Sequence, residues 1–189
     1  MPADFSFPTV FPVLETERLT LRELTAADTD VLFDIHADSE TMRYWSGPPM
    51  SDSSEVGELL GRATAAYAEQ RSINWGVVLR EPGTLVGAAN LHAIVRQSRR
   101  AEIGYVLHRD HWGNGYNHEA LTRILEYGFE ELGLHRVEAE LDPRNEASAR
   151  AVERLGFVRE GLLRERWIVE GEISDSLMVG LLRSEWLGR

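Results

Sequence analysis

The chain has 189 residues, room for one domain with a sizeable core, and its 43% hydrophobic and 27% charged content is that of a folded rather than a disordered polypeptide. It contains no cysteine, which excludes disulfides, thiolate metal sites and cysteine nucleophiles, so any sulfur chemistry has to arrive with a ligand. The formal net charge of −11, from 20 Lys+Arg against 31 Asp+Glu, disfavours nucleic acid as a partner and favours a cationic amine, beside the plainer contribution of acidity to solubility.

Residues 1–13 read as an extended N-terminal arm, with Pro2, Pro8 and Pro12 blocking regular pairing. The arm has neither the basic start nor the apolar run of a signal peptide, and no later stretch is long enough to cross a bilayer. A cytoplasmic location without a membrane partner is therefore expected. From residue 14 to 189 the pattern is that of a single domain. Arg18 to Arg22 alternates as a strand, and Thr25 to Asp28 forms a capping-box-like start for a helix carrying Ala27, Val31, Leu32 and Ile35. After the break at Gly47-Pro48-Pro49, Val56, Leu59, Leu60, Ala63 and Tyr67 recur at helical spacing.

The period then changes to two. Ile73 to Leu79, Leu85 to Ala93 and Ala101 to Leu107 form a three-strand meander. A loop with Gly113 and Gly115 leads into a helix with Leu121, Leu125, Gly128, Phe129 and Leu132 inward, where Glu119 and Arg123 have the spacing of an i,i+4 ion pair. Val137, Ala139 and Leu141 alternate in a further strand. A helix from about Glu146 to Leu155 follows, capped by Gly156. A last hairpin turns at Glu170-Gly171 and sets Ile173, Asp175, Leu177, Val179 and Leu181 on one face. The order predicts an α+β fold around a mixed sheet.

Two loops carry chemistry. Glycines at 113 and 115 allow a tight turn and close approach of backbone to ligand, and the helix opening at Tyr116 offers unpaired amides with partial positive charge to a phosphate. By itself the glycine pair is only a turn. The third glycine of a dinucleotide fingerprint and the Gly-Lys-Ser/Thr of a P-loop are both missing. In the second loop Asn145 is placed as an N-cap, with Ser148 at the third helical position. The two loops follow consecutive strands and would flank one extended ligand.

His111 to Leu121 resembles the acyl-CoA loop of the GCN5-related N-acetyltransferase (GNAT) superfamily, in the Trp-Gly-x-Gly-Tyr-Ala-x-Glu-Ala form of its RimJ/RimL branch, which acetylates ribosomal-protein N-termini. Asn145, Ser148, Ala151, Val152, Leu155, Gly156 and Phe157 resemble that branch's second signature, and Glu15 to Arg22 its usual opening. Asp28, Met42 and Arg43 also sit where the branch commonly has such residues. The resemblance implies a single GNAT-like α/β sandwich, with a mostly antiparallel sheet splayed at its central strands and helices on both faces. It further implies acetyl-CoA as co-substrate. Backbone amides from Gly113 through Asn114, Gly115 and Tyr116 to Asn117 would hold the pyrophosphate, with Trp112 beside them. The strand end at Val106 and Leu107 would pair with pantetheine. Asn145 would bond the pantetheine or a neighbouring group, and Ser148 would protonate the departing thiolate. Three departures stand out. Trp112 replaces a polar phosphate contact, Asn117 replaces a small residue, and the glutamate used as a base in the branch aligns with Trp167.

Transfer to an amine needs a neutral nucleophile, a polarised thioester and a protonated leaving group. An α-amino group (pKa ~8) is far more often neutral at pH 7 than a lysine (pKa ~10.4). The resemblance to the RimJ/RimL branch makes a protein N-terminus the first expectation, in line with this difference; a small amine such as a polyamine, aminoglycoside or amino acid derivative is the second, and a non-catalytic acyl-CoA sensor the third. Glu102 is the first candidate base, against a role as salt-bridge partner of Arg99 or Arg100. His92 is the second, against ordinary packing. Tyr105 faces away from Glu102 and reads as core. Tyr44 and Trp45 are candidate walls of the acceptor slot, and Asp175 a candidate contact for its ammonium or else a brace for loop amides. The histidines show no metal-ligand spacing, so no metal is expected. A homodimer is left open.

Overall fold

A computed structural model describes residues 5–188. The period-two segments become strands β1 (Leu14–Glu15), β2 (Leu19–Glu23), β3 (Ile73–Leu79), β4 (Leu85–Val95), β5 (Arg100–Leu107), β6 (Arg136–Leu141), β7 (Val158–Val169) and β8 (Glu172–Leu182). They form one sheet in the order β1-β2-β3-β4-β5-β6-β8-β7. Only β5 with β6 is parallel; the other neighbours are antiparallel. The helices are α1 (Thr29–Ala37), α2 (Ser54–Ala68), α3 (Tyr116–Glu126), α4 (Glu146–Arg154) and α5 (Arg183–Leu187).

Both faces of the sheet are covered, as the predicted fold class requires. Leu121, Ile124 and Leu125 of α3 and Ala149 and Val152 of α4 pack with Leu21, Trp75, Ile103 and Val137 in the larger core. On the other face Leu32 of α1 and Val56 of α2 close over Val78 and Leu85. Burying each such side chain contributes roughly 1.5–3 kcal/mol. The arm completes the larger core: Phe7 is buried in it, Trp75 Nε1 donates to Pro12 O at 2.7 Å and Tyr67 Oη to Pro8 O at 3.2 Å.

The feature that positions the site is the β5–β6 pairing. It runs only from Arg100↔Arg136 to Glu102↔Glu138, after which the two strands part. Beyond Glu102, β5 has no strand partner on that side, and its backbone there lines a gap in mid-sheet.

Four details differ from the sequence reading. The helix expected from Thr25 starts at Thr29, after a 3-10 turn at Ala26–Asp28, so Ala27 is exposed and Asp28 is buried. Arg22 grips that carboxylate with bonds of 2.7 and 2.8 Å, and Thr25 donates its backbone N–H to it at 2.8 Å, which offsets the cost of burial. The helix expected through Leu132 ends at Glu126 and continues as a wider π-type turn, Tyr127–Glu131. Glu119 and Arg123 do not pair with one another. Glu119 is taken by Arg18 and Thr16, and Arg123 by Glu131. Finally, Ile173 is 55% exposed, whereas Leu177, Val179 and Leu181 are buried. The reason is geometric. β6 pairs with β8 only as far as Leu141↔Leu177, so the tip of the hairpin overhangs the sheet and no helix covers it.

Candidate active site

The gap between β5 and β6 opens into a cavity of about 820 Å³. It brings together most of the residues singled out from the sequence. Val106 and Leu107 of β5, with Trp112, Gly113 and Asn117 of the glycine loop, line one part of it. Asn145 and Ser148 enter from the start of α4. Tyr44, Trp45, His92, Glu102 and Asp175 line the remainder. Asn114, Gly115 and Tyr116 do not line it; they shape the loop from behind.

Both glycines adopt left-handed backbone, Gly113 at φ 76° and Gly115 at φ 79°, which any Cβ would strain. At Gly113 the space a Cβ would enter is open, so the loop presents bare backbone there. The Asn114 side chain braces the turn through the carbonyls of His111 and Trp112, at 3.2 and 3.1 Å. Trp112 Nε1 donates to Leu107 O at 2.9 Å and ties the loop to the end of β5. Arg18, beside β2, clasps the loop from outside: it donates to Asn114 O at 3.0 Å and Glu119 Oε2 at 2.7 Å, with its guanidinium 4.7 Å above the Tyr116 ring. The result is a braced turn of bare backbone at the positive end of α3, a setting suited to an anion such as a phosphate. The unpaired edge of β5 next to it offers backbone groups to an extended ligand.

Asn145 Oδ1 caps α4 by accepting from Ser148 N at 3.0 Å, so its NH2 group is what a ligand could use. Ser148 Oγ is 2.6 Å from the hydroxyl of Tyr105, a residue read as core. The ring of Tyr105 does pack on the core, but its hydroxyl crosses from β5 to α4 in the mouth of the gap. Burial pushes the Tyr105 phenol above its ordinary range, against the opposing effects of Ser148, Arg154 and Asn117.

His92 and Glu102 are register partners on β4 and β5. Glu140, two residues beyond the last β5–β6 pair, alternates with Glu138 onto the face of Glu102. Tyr105, by the same alternation, belongs to the opposite face. The cavity therefore passes through the sheet, with His92, Glu102 and Glu140 on one side and Tyr105 with Ser148 on the other. Burial holds the His92 imidazole below its usual range although the charges of Glu102 and Glu140 oppose this, so the ring is neutral at pH 7. Glu140 was not singled out from the sequence. Burial works against its ionisation, but Ser176 Oγ at 2.6 Å, Trp167 Nε1 at 2.7 Å and the Arg166 charge outweigh that and hold its carboxyl below the usual range. All three donors meet Oε1.

Arg100 pairs with Glu138 at 2.7 Å, so it is not the salt-bridge partner of Glu102 considered from the sequence. Asp175 accepts from Glu165 N at 2.8 Å and braces a β7 bulge at which Glu165 has φ 53°. Tyr44 lies between the guanidinium groups of Arg43 and Arg144, 5.3 and 5.8 Å from its ring centroid. Among the described residues no group of three or more His, Cys, Asp or Glu side chains is arranged to hold a metal ion, and no helix is long and apolar enough to cross a membrane.

The sequence of the Acetyltransferase (GNAT) domain family matches residues 18–158. The chain is a GNAT acetyltransferase. It is 35% identical over 174 residues to Uncharacterized N-acetyltransferase YoaA of Bacillus subtilis, covering 92% of this chain and 98% of that one. The acetyltransferase is 27% identical to the [Ribosomal protein uS5]-alanine N-acetyltransferase of Escherichia coli, covering 92% of each. The crystal structure of spermidine N-acetyltransferase from Vibrio cholerae in complex with CoA and spermine superimposes with a TM-score of 0.81 at 26% identity, over 91% of this chain and 99% of that one. The acetyltransferase thus has relatives named for both a ribosomal protein and a polyamine.

Proposed function

We propose that this acetyltransferase moves the acetyl group of acetyl-CoA to the α-amino group of a protein or peptide N-terminus, by direct attack of the amine on the thioester. Acetyl-CoA enters along the glycine loop and the free edge of β5. The amine approaches from the side of His92, Glu102 and Glu140. Glu140 keeps the approaching ammonium in place and His92, with Glu102 beside it, takes its proton. The neutral nitrogen attacks the carbonyl carbon, and as the C–S bond of the tetrahedral intermediate breaks, Ser148 gives a proton to the departing sulfur.

The observation that carries this reading is the neutral His92 between two carboxylates. A base held below ~6.5 is closer in strength to an α-amine at ~8 than to a lysine-type amine at ~10.4, which would leave it a deficit of roughly 4 units. A second reading, acetylation of a polyamine, is favoured by Glu102, Glu140 and Asp175 on one cavity, which suit a chain with several positive charges. Thiol release from acetyl-CoA decides between them. Turnover of peptides with N-terminal Ser or Ala but not of spermidine supports the first, the reverse supports the second, and tight CoA binding with no turnover on any amine defeats both.

A further inference from the structure

We propose that Tyr105 is the proton reservoir behind Ser148: the phenol reprotonates the serine as the serine protonates the CoA thiolate. The inference rests on the reading of Ser148 as the group that faces the sulfur, and it deepens that reading.

The chemistry asks for such a group. An aliphatic hydroxyl is a far weaker acid than a thiol, so a serine acting alone would have to leave an alkoxide behind to neutralise a thiolate. A phenol is a far stronger acid than an aliphatic alcohol, so even with burial holding Tyr105 above the ordinary ~10 its proton reaches a thiolate (thiol ~8.5) at a smaller cost than the serine's own would. The geometry provides the path. Tyr105 Oη is 2.6 Å from Ser148 Oγ and 3.3 Å from Ser148 O, so the phenolic hydrogen has its acceptors on Ser148. Asn117 lines the same cavity and eases ionisation of the phenol. In the relay the phenol donates its O–H to Ser148 Oγ, and the serine turns its own O–H toward the cavity.

The balance is complete. The C–S bond breaks with its electron pair on sulfur, sulfur takes the Ser148 proton, and Ser148 Oγ takes the Tyr105 proton. The phenolate left behind recovers a proton from solvent, to which the base side delivers the one lost by the amine. Tyr105 acts through Ser148 and is in this sense a positioning residue.

The test compares wild type, Ser148→Ala, Tyr105→Phe and Asn117→Ala with acetyl-CoA and an accepted amine. Tyr105→Phe is expected to lower kcat by roughly 100-fold, the low end of general-acid contributions. KM for acetyl-CoA and the calorimetric affinity for CoA should stay within about 2-fold, since no binding contact is removed. Asn117→Ala should lower kcat less. A structural role is separated by 3,5-difluorotyrosine at position 105, which keeps the hydroxyl but makes it more acidic. The basic limb of the kcat profile should then move to lower pH, and this readout survives even if Tyr105→Phe folds poorly. A limb that does not move, or full kcat in Tyr105→Phe while Ser148→Ala is slow, overturns the relay and leaves acetyl transfer intact. Full kcat in Ser148→Ala also overturns it. No thiol release by wild type with any amine overturns the relay and the functional reading together.

Discussion

In the proposed reaction Ser148 and Glu140 act from opposite faces of the sheet, and each role has its own kinetic signature. If Ser148 is the proton donor, Ser148→Ala should cut kcat by roughly 100-fold with little change in KM for acetyl-CoA, because that proton is needed only as the C–S bond breaks. Glu140→Gln removes a carboxylate that three donors keep ionised. A charge-assisted bond is worth ~1.5–3 kcal/mol, so KM for the amine should rise by roughly 10- to 100-fold in steady-state assays. An unchanged amine KM would remove Glu140 from the acceptor site. For His92 the sign follows from burial. Its folded pKa lies below the ordinary ~6.5, so it remains a base throughout the neutral range, and its protonation cannot explain loss of activity above ~6.5. With an α-amine acceptor, any decline between about pH 8 and 6.5 should therefore persist in His92→Gln and track the pKa of the amine across a series of acceptors.

At the scale of elements, the clasp between Arg18 and α3 couples the start of the sheet to the glycine loop. Arg18 is exposed enough that its ion pair with Glu119 adds little stability by itself. Its contribution is to fix Asn114 and the turn. Arg18→Ala should raise KM for acetyl-CoA by about 10-fold, the effect of one lost hydrogen bond to a charged group, while the melting temperature changes little. The reverse is expected at the Arg22–Asp28 pair, which does not line the cavity and holds β2 to the first turn before α1. Asp28→Asn leaves Arg22 without its counter-charge and should destabilise the fold by roughly 3 kcal/mol in denaturant titration. Because Arg22 holds the Asp28 carboxyl below its ordinary value, this stabilisation is present above ~3.9 and is lost as pH falls through the lower folded pKa. In Asp28→Asn the dependence of stability on pH should flatten below about 4.

For the molecule as a whole, the charge of −11 adds to the local carboxylates of the cavity. A cationic acceptor should therefore show kcat/KM falling with ionic strength, more steeply for spermidine than for a peptide with a single α-ammonium group. Stopped assays between low salt and about 1 M, where the screening length is ~3 Å, would measure the slope. An acceptor whose kcat/KM ignores salt is not drawn in by this field.

Sequence by itself determined the order of elements, because the change from helical to period-two spacing is written in the chain, and it determined the two capped loops, because glycine at 113 and 115 and Asn145 before Ser148 each act within a few residues of themselves. Glu140 was half legible: its alternation with Glu138 was visible, but Ser176 and Trp167, which keep it charged, come from β7 and β8. Tyr105 was read in part: its ring packs on the core as expected, but alternation tells which face a side chain leaves from and not that its hydroxyl meets Ser148. Glu119 was misread because an i,i+4 spacing offers Arg123, whereas the fold brings Arg18 and Thr16, about a hundred residues away in sequence, within 2.7 Å. Only the tertiary structure decided that β5 and β6 part after Glu102, and that parting carries the cavity through the sheet. Pairing length depends on two strands distant in the chain and on the helices behind them, so no local pattern of residues encodes it.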